Sequence, residues 1–214
     1  MTPGFHWTLR PSVKEDDPVL KAFPAELPLL VKQLLLQRGF TGGMETELFL
    51  DPRLSHLSDP FLMGEMRAAV DRIFRAVDEG ETVCIYGDYD VDGVTSVALL
   101  RAILMAYDLD PQYFIPVRSR EGYGLSEAGI KRCLCECADP PSLLITVDCG
   151  TSSVKEVDML NSLGIDVIIL DHHEAGPLGR PDAAAVVNAK IEENSPYTYP
   201  VSYTHLTLPT TPYV

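Results

Sequence analysis

Asp88, Asp90 and Asp92 stand at alternate positions in the run Tyr86-Gly87-Asp88-Tyr89-Asp90-Val91-Asp92-Gly93, directly after the apolar stretch Val83 to Ile85. The arrangement recurs twice. Asp148-Cys149-Gly150 follows Leu143-Leu144-Ile145-Thr146-Val147, and Asp171-His172-His173 follows Val167-Ile168-Ile169-Leu170. Three buried strands thus each end in carboxylate or imidazole. In an open parallel α/β sheet that edge is where ligands and metals bind. Oxygen ligands with an imidazole suit hard divalent cations, Mg²⁺ or Mn²⁺. Two such ions roughly 3.5–4 Å apart would clamp a phosphoryl group and acidify a bridging water. Asp148 is the natural bridging carboxylate, and Gly93 would permit the turn that brings the first three aspartates together. The chemistry indicated is metal-assisted hydrolysis.

Other arrangements fit the first motif alone. An EF-hand loop would put Asp88, Asp90 and Asp92 at positions 1, 3 and 5 and Gly93 at 6. Position 12 is then Leu99, where a bidentate Glu is required, and a strand stands in place of the first helix. A haloacid-dehalogenase-type phosphatase would use Asp90 as nucleophile but leaves Asp171-His172-His173 without a role. A solvated acidic turn capping the next helix accounts for one such motif, not for three at successive strand ends. Two adjacent histidines point differently. One of His172 and His173 is therefore expected to ligate metal and the other to contact phosphate, with Asp171 orienting an imidazole.

The elements that must position these groups are readable from periodicity. Strands at 82–86, 112–116, 143–147, 166–170 and 184–187 alternate with helices near 94–107, 126–137 and 153–163. Such alternation predicts right-handed βαβ units and an α/β fold with a mainly parallel, doubly wound sheet. Upstream, the pattern predicts a helix from Leu29 to Arg38 ended by Gly39. A second helix is expected to start at Asp59-Pro60 (N-cap and N1), run through Val77 and end at Gly80.

Arg118, Arg120, Lys131 and Arg132 form a local basic group that could steer phosphates, or could be a solvated helix face. Tyr123, between two glycines, could stack a base or pack in the turn. Cys133, Cys135 and Cys137 alternate on a helix, where neighbours at i+2 point about 200° apart, so these three cannot share one ion. Trp7 is expected to anchor the N-terminal arm.

The 214 residues, 46% hydrophobic, suffice for one large domain or two small ones. No apolar run approaches the roughly 20 residues needed to span a bilayer, so no membrane association is expected. The N-terminus lacks the pattern of a signal peptide. Five cysteines, an odd number, favour reduced thiols and a cytoplasmic setting. A net charge of −14 argues against a broadly basic nucleic-acid binder, but metal-holding carboxylates contribute to that count and leave a phosphodiester substrate open.

The three motifs resemble the DHH phosphoesterase superfamily, named for the triplet at Asp171-His172-His173. The run from Gly87 to Ser96 and the segment Thr146-Val147-Asp148-Cys149-Gly150 are similar to motifs of its RecJ family of single-strand-specific DNA exonucleases. Gln37-Arg38-Gly39, Phe49-Leu50-Asp51-Pro52, Asp59-Pro60-Phe61, Ile115 to Arg118, Glu121 to Leu125 and Ala185-Val186-Val187-Asn188 also fit, in order, over residues 7–200. The resemblance implies 5′→3′ hydrolysis of single-stranded DNA in repair and recombination, with two Mn²⁺ or Mg²⁺ ions. It also implies partnership with a single-strand-binding protein or helicase. It places the metals on Asp90, Asp92, Asp148 and His172 with Asp88 adjoining, and the scissile phosphate on His173. Tyr86 stands where many members have a ligand histidine.

Two other functions share this core: a phosphodiesterase for short oligonucleotides or cyclic dinucleotides, and a non-catalytic scaffold. The scaffold is disfavoured because scaffold relatives lose ligands that this chain keeps. The expected organisation is an N-terminal arm with a helix over 1–57, a DHH domain over 58–200 and an irregular tail over 201–214. The tail departs from the family's continuation, which brings a fourth metal-binding Asp and a substrate-clamp domain. It is expected to be foreign to the domain, and the chain by itself is expected to have impaired activity.

Overall fold

The alternation of apolar strands and amphipathic helices is realised in a computed structural model that describes residues 13–14, 16–53, 55 and 58–191. Trp7 and the 201–214 tail lie outside the described residues. The chain divides into two compact units, Met1–Leu57 and Ser58–Val214.

In the first unit a 3₁₀ turn, Pro18–Ala22, is capped by Asp17, whose side chain accepts from Val19 N at 3.0 Å. Helix α1 follows at Leu29–Gln37. Gly39, at φ 91°, ends it, and Phe40 N returns to the Leu35 carbonyl at 3.1 Å. A short helix α2, Met44–Leu50, was not expected. It has no capping side chain and begins after two glycines, so nothing local announces it.

The second unit is a five-stranded, all-parallel sheet, as the alternation predicts. Its strands are β1 (Val83–Gly87), β2 (Gln112–Phe114), β3 (Leu143–Val147), β4 (Asp166–Leu170) and β5 (Ala185–Val187). Their order is β2-β1-β3-β4-β5, so the connection reverses between β1 and β3. Helices α3 (Met66–Glu79) and α4 (Val91–Ala106) supply Ala69, Ala76, Val97 and Leu104 to one face, against Val83, Ile85, Ile145 and Ile168. Helices α6 (Glu127–Glu136) and α7 (Val154–Ser162) supply Ile130, Cys133, Val157 and Leu160 to the other, against Cys84, Tyr86, Leu144 and Val167. Alternate strand residues face opposite layers, the period-two rule of a sheet buried on both sides. A one-turn helix α5, Arg118–Glu121, bridges β2 and α6.

Two boundaries differ from expectation in instructive ways. Asp59 does cap, accepting from Phe61 N at 2.9 Å, but it caps a separate 3₁₀ turn, Pro60–Leu62. Helix α3 starts only at Met66, and Gly80 ends it in the left-handed region (φ 62°). Helix α4 starts three residues early because Asp90 is its N-cap, accepting from Gly93 N at 3.1 Å. Gly93 is therefore helical and not a turn residue. Glycine is needed there for closeness: a Cβ would strike the Asp88 carbonyl oxygen and lie 2.6 Å from Asp88 N.

Candidate active site

Strand register builds the site. Gly87, Val147, Leu170 and Val187 form one row across β1, β3, β4 and β5. The next residue on each strand is Asp88, Asp148, Asp171 and Asn188. Four polar groups thus leave the sheet at one level, at its carboxyl edge and on both sides of the β1/β3 switch point. Backbone bonds hold the row beyond the strands: Asp148 N donates to Leu170 O (2.9 Å) and Asp171 N to Val187 O (3.1 Å).

Two ligand clusters share one member. Carboxylate oxygens of Asp88, Asp90 and Asp148 lie within 4.8 Å of one another, and so do ligand atoms of Asp148, His172 and His173. Asp148 is common to both. It is 2% exposed, and its backbone adopts φ 61°, a conformation that Asp tolerates better than most residues. Burial first, then the neighbouring charges of Asp90, Asp171 and Asp92, push its pKa up to about 8. Asp88 is raised by burial and by Asp90, and its Oδ1 is buried without a hydrogen-bond partner. Crowded carboxylates with an orphaned buried oxygen are the condition that divalent cations relieve, so the donor set fits hard metal ions. Asp92, in the first turn of α4, is outside both clusters, although its charge reaches Asp148.

The histidines are fixed in different ways. His172 Nε2 lies 2.9 Å from Asp148 Oδ1. Burial first, and then His173, lower its pKa, which favours the neutral ring a metal requires. His173 Nδ1 bonds Asp171 Oδ1 at 2.7 Å, and its Nε2 meets the Tyr123 hydroxyl at 2.7 Å. Asp171 also accepts from the backbone N–H groups of His172 (2.7 Å), His173 (3.2 Å) and Thr151 (3.0 Å). Burial alone would raise its pKa, but the Thr151 and histidine donors hold it below the usual carboxylate range. With both oxygens engaged, and outside both ligand clusters, Asp171 orients its neighbours.

The remaining candidates separate. Tyr123 is 57% exposed, but its hydroxyl is tucked in beside the carboxylates. That burial, then Asp88, Asp148 and Asp171, raise its pKa. It meets Tyr89 edge-on, and the Arg118 guanidinium lies 5.5 Å from the Tyr89 ring centre. Arg118 and Arg120 are exposed on α5. Lys131 and Arg132, grouped with them by sequence, are engaged elsewhere, Lys131 with Glu127 (2.6 Å) and Arg132 with Glu121 and Glu136. Tyr86 is buried, donates to the Gly124 carbonyl at 3.2 Å and belongs to neither cluster. A cleft of about 240 Å³ opens beside His173, between Tyr123–Leu125 and Cys149–Ser153.

Thr151 and Asn188 are participants that sequence reasoning did not assign to the site. Asn188 is 1% exposed and donates from Nδ2 to the Thr151 hydroxyl and to the His173 carbonyl, both at 2.8 Å. The available signal was its position: a polar residue directly after the apolar strand β5.

Residues 82–208 match the DHH family, N-terminal domain. The chain belongs to the DHH family. It is 40% identical over 179 residues to the single-stranded-DNA-specific exonuclease RecJ of Bacillus subtilis (strain 168), which covers 83% of this chain and 22% of that protein. To the protein of the same name in Escherichia coli (strain K12) it is 34% identical over 173 residues, 79% of this chain and 28% of that one. The chain thus spans about a quarter of the length of these relatives. The crystal structure of RecJ in complex with Mn²⁺ from Thermus thermophilus aligns with a TM-score of 0.56 and 28% identity, covering 80% of this chain and 23% of that one. A crystal structure of exonuclease RecJ bound to manganese aligns with the same TM-score and 30% identity over 66% of this chain and 36% of that one.

Proposed function

We propose that this chain carries the metal-binding half of a 5′→3′ exonuclease site for single-stranded DNA, acting in DNA repair and recombination. The observation that carries the reading is the sharing of Asp148 between two ligand clusters. Asp88 and Asp90 would complete one ion's shell and His172 the other's, with Asp92 acting through its charge. When bound, Mn²⁺ or Mg²⁺ would acidify a water and neutralise phosphoryl charge. The chain's own residues bind and orient. Asp171 fixes His173 through Nδ1, leaving Nε2 directed at the cleft to contact the substrate phosphate once Tyr123 yields. Tyr123 and Tyr89 offer faces for bases, and Arg118 and Arg120 offer charge to the backbone. A cytoplasmic setting, and contact with a single-strand-binding protein or helicase, belong to the same proposal, as do residues 58–200 as the DHH portion and impaired turnover by the chain alone.

The test is a 5′-labelled single strand incubated with the chain and Mn²⁺, with Mn²⁺ stoichiometry read by electron paramagnetic resonance. Two spin-coupled ions and slow release of 5′ mononucleotides, both lost in Asp148→Ala, are expected. Turnover of dinucleotides as fast as or faster than that of long strands would instead favour the short-oligonucleotide phosphodiesterase. Absence of both ion pairing and release would overturn the proposal.

A further inference from the structure

Away from the carboxylate edge, three cysteines meet in the layer between the sheet and α6. Cys84 is the second residue of β1, Cys133 lies on the inner face of α6 and Cys137 at that helix's C-terminus. Their sulfur atoms lie within 4.8 Å of one another. Cys133 and Cys137 are one helical turn apart and share a face. Cys135, between them, is exposed and takes no part. Cys133, Cys135 and Cys137 do not converge, and β1 supplies the third thiol that the local sequence does not.

We propose that Cys84, Cys133 and Cys137 form a binding site for one thiophilic cation of the Zn²⁺ class, distinct from the carboxylate site. The Cys84 and Cys133 sulfurs are 3.6 Å apart. That is far beyond a disulfide bond of about 2.05 Å. It is near the separation of about 3.8 Å between two sulfurs that each bind a tetrahedral Zn²⁺ at about 2.3 Å. The surroundings are otherwise apolar, including Phe114, Ile130 and Leu144. There the hydrogen bond between Cys84 and Cys133, together with burial, pushes the Cys84 thiol well up, and the same bond draws Cys133 down. Binding forms three metal–sulfur bonds, and each thiol that is still protonated gives its proton to solvent. A dication then offsets thiolate charge that the layer would not tolerate unpaired. Soft sulfur ligands select this class of ion over the Mg²⁺ or Mn²⁺ that oxygen ligands take. Cys137 is half-buried and gives the ion an entrance. Among the described residues no fourth His, Cys, Asp or Glu completes the cluster, so one position is left for water. The bound ion would staple the end of α6 to the strand that delivers Asp88.

The test is titration of the reduced, metal-stripped chain with Cd²⁺ in excess Mg²⁺, read by sulfur-to-cadmium charge-transfer absorption, with Zn²⁺ added as competitor. A single saturating equivalent that Zn²⁺ displaces is expected, together with a higher melting temperature. Cys137→Ser, at a half-buried position, should weaken binding about 100-fold, at least what loss of an outer partner costs. Cys135→Ser and Asp148→Ala should leave it unchanged. If Cys84→Ser does not fold, Cys137→Ser carries the test. No charge-transfer band, or a band that Cys137→Ser leaves intact, would mean three reduced core thiols and no site.

Discussion

Asp148 Oδ1 lies 2.9 Å from His172 Nε2, although the two residues leave neighbouring parallel strands 24 positions apart in the chain. The contact joins a carboxyl raised by burial to an imidazole lowered by burial, so each favours its neutral form in the absence of cations. The sign of the pH dependence follows. The folded pKa of Asp148, about 8, is above its ordinary value, so between about pH 4 and 8 the folded chain holds a proton that the unfolded chain has released. The Asp148 contribution to the stability of the metal-free chain should therefore fall by a few kcal/mol as pH rises through that window, opposed in part by His172, whose lowered pKa adds stability as pH rises toward its ordinary value of 6.5. Urea midpoints at pH 5 and 8 check this. Asp148→Asn should flatten the slope and abolish Mn²⁺ binding, and saturating Mn²⁺ should flatten it in the parent. A parent midpoint that rises toward pH 8 would contradict the assignment.

Asp171→Asn tests the positioning of both histidines. Asparagine keeps one acceptor and turns an NH₂ either toward Thr151 N or toward His172 N and His173 N, groups that already donate. The expected cost is about 1–3 kcal/mol of stability. Metal affinity should fall about 10–100-fold although no metal ligand has changed. Calorimetric Mn²⁺ titration measures the second effect, and the ¹⁵N shifts of His173 report whether Nδ1 has lost its partner. An unchanged His173 spectrum would remove Asp171 from its orienting role.

How far this site could be seen in the sequence depended on whether its signals were local. Val83 to Ile85 and Val167 to Leu170 are continuous apolar runs and Leu143 to Val147 is broken only by Thr146, the mark of strands buried on both faces, so the acidic groups that follow were placed at the sheet edge directly. Thr151 and Asn188 were not assigned to the site, because a lone polar residue after a loop or a three-residue strand has many uses. Asp59-Pro60 carried a genuine capping signal, but it served a 3₁₀ turn of three residues, and no local pattern tells a turn from a helix start six residues before Met66. The cysteine cluster was invisible because Cys84 and Cys133 are 49 residues apart and meet only once β1 and α6 pack.

Gly93→Ala distinguishes a glycine kept for closeness from one kept for flexibility. In an ordinary helix interior the change stabilises by about 1 kcal/mol. Here the new methyl meets the Asp88 backbone, with Asp88 N at 2.6 Å, inside the loop that aims two cluster members. Destabilisation of about 1–3 kcal/mol is expected, with weaker Mn²⁺ binding because Asp88 must move. Thermal melts with and without Mn²⁺ separate the two effects. A stabilised variant with parental metal affinity would show that the loop yields freely.

At the opposite end of the sheet, Arg72 is a structural ion whose partners set an acid limit. Its side chain is 8% exposed and bonds Glu81 (2.8 Å) and Asp166 (2.6 Å), and Ser142 donates to Glu81 at 2.6 Å. The hydrogen bond from Arg72, then that from Ser142, holds Glu81 below its ordinary pKa. A depressed carboxylate contributes stability that is full above its unfolded pKa of about 4.3 and is lost as pH falls through the lower folded value. Arg72→Ala leaves Glu81 largely buried without its cation and should cost about 3 kcal/mol near neutrality. Arg75→Ala, at a half-exposed position, should cost under about 1 kcal/mol. Urea unfolding of the three proteins at pH 7 and at pH 3 checks both statements, because the penalty of Arg72→Ala should shrink at the lower pH as Glu81 takes up a proton. A penalty that stays the same at both pH values would show that Arg72 acts by packing its stem and not by its charge.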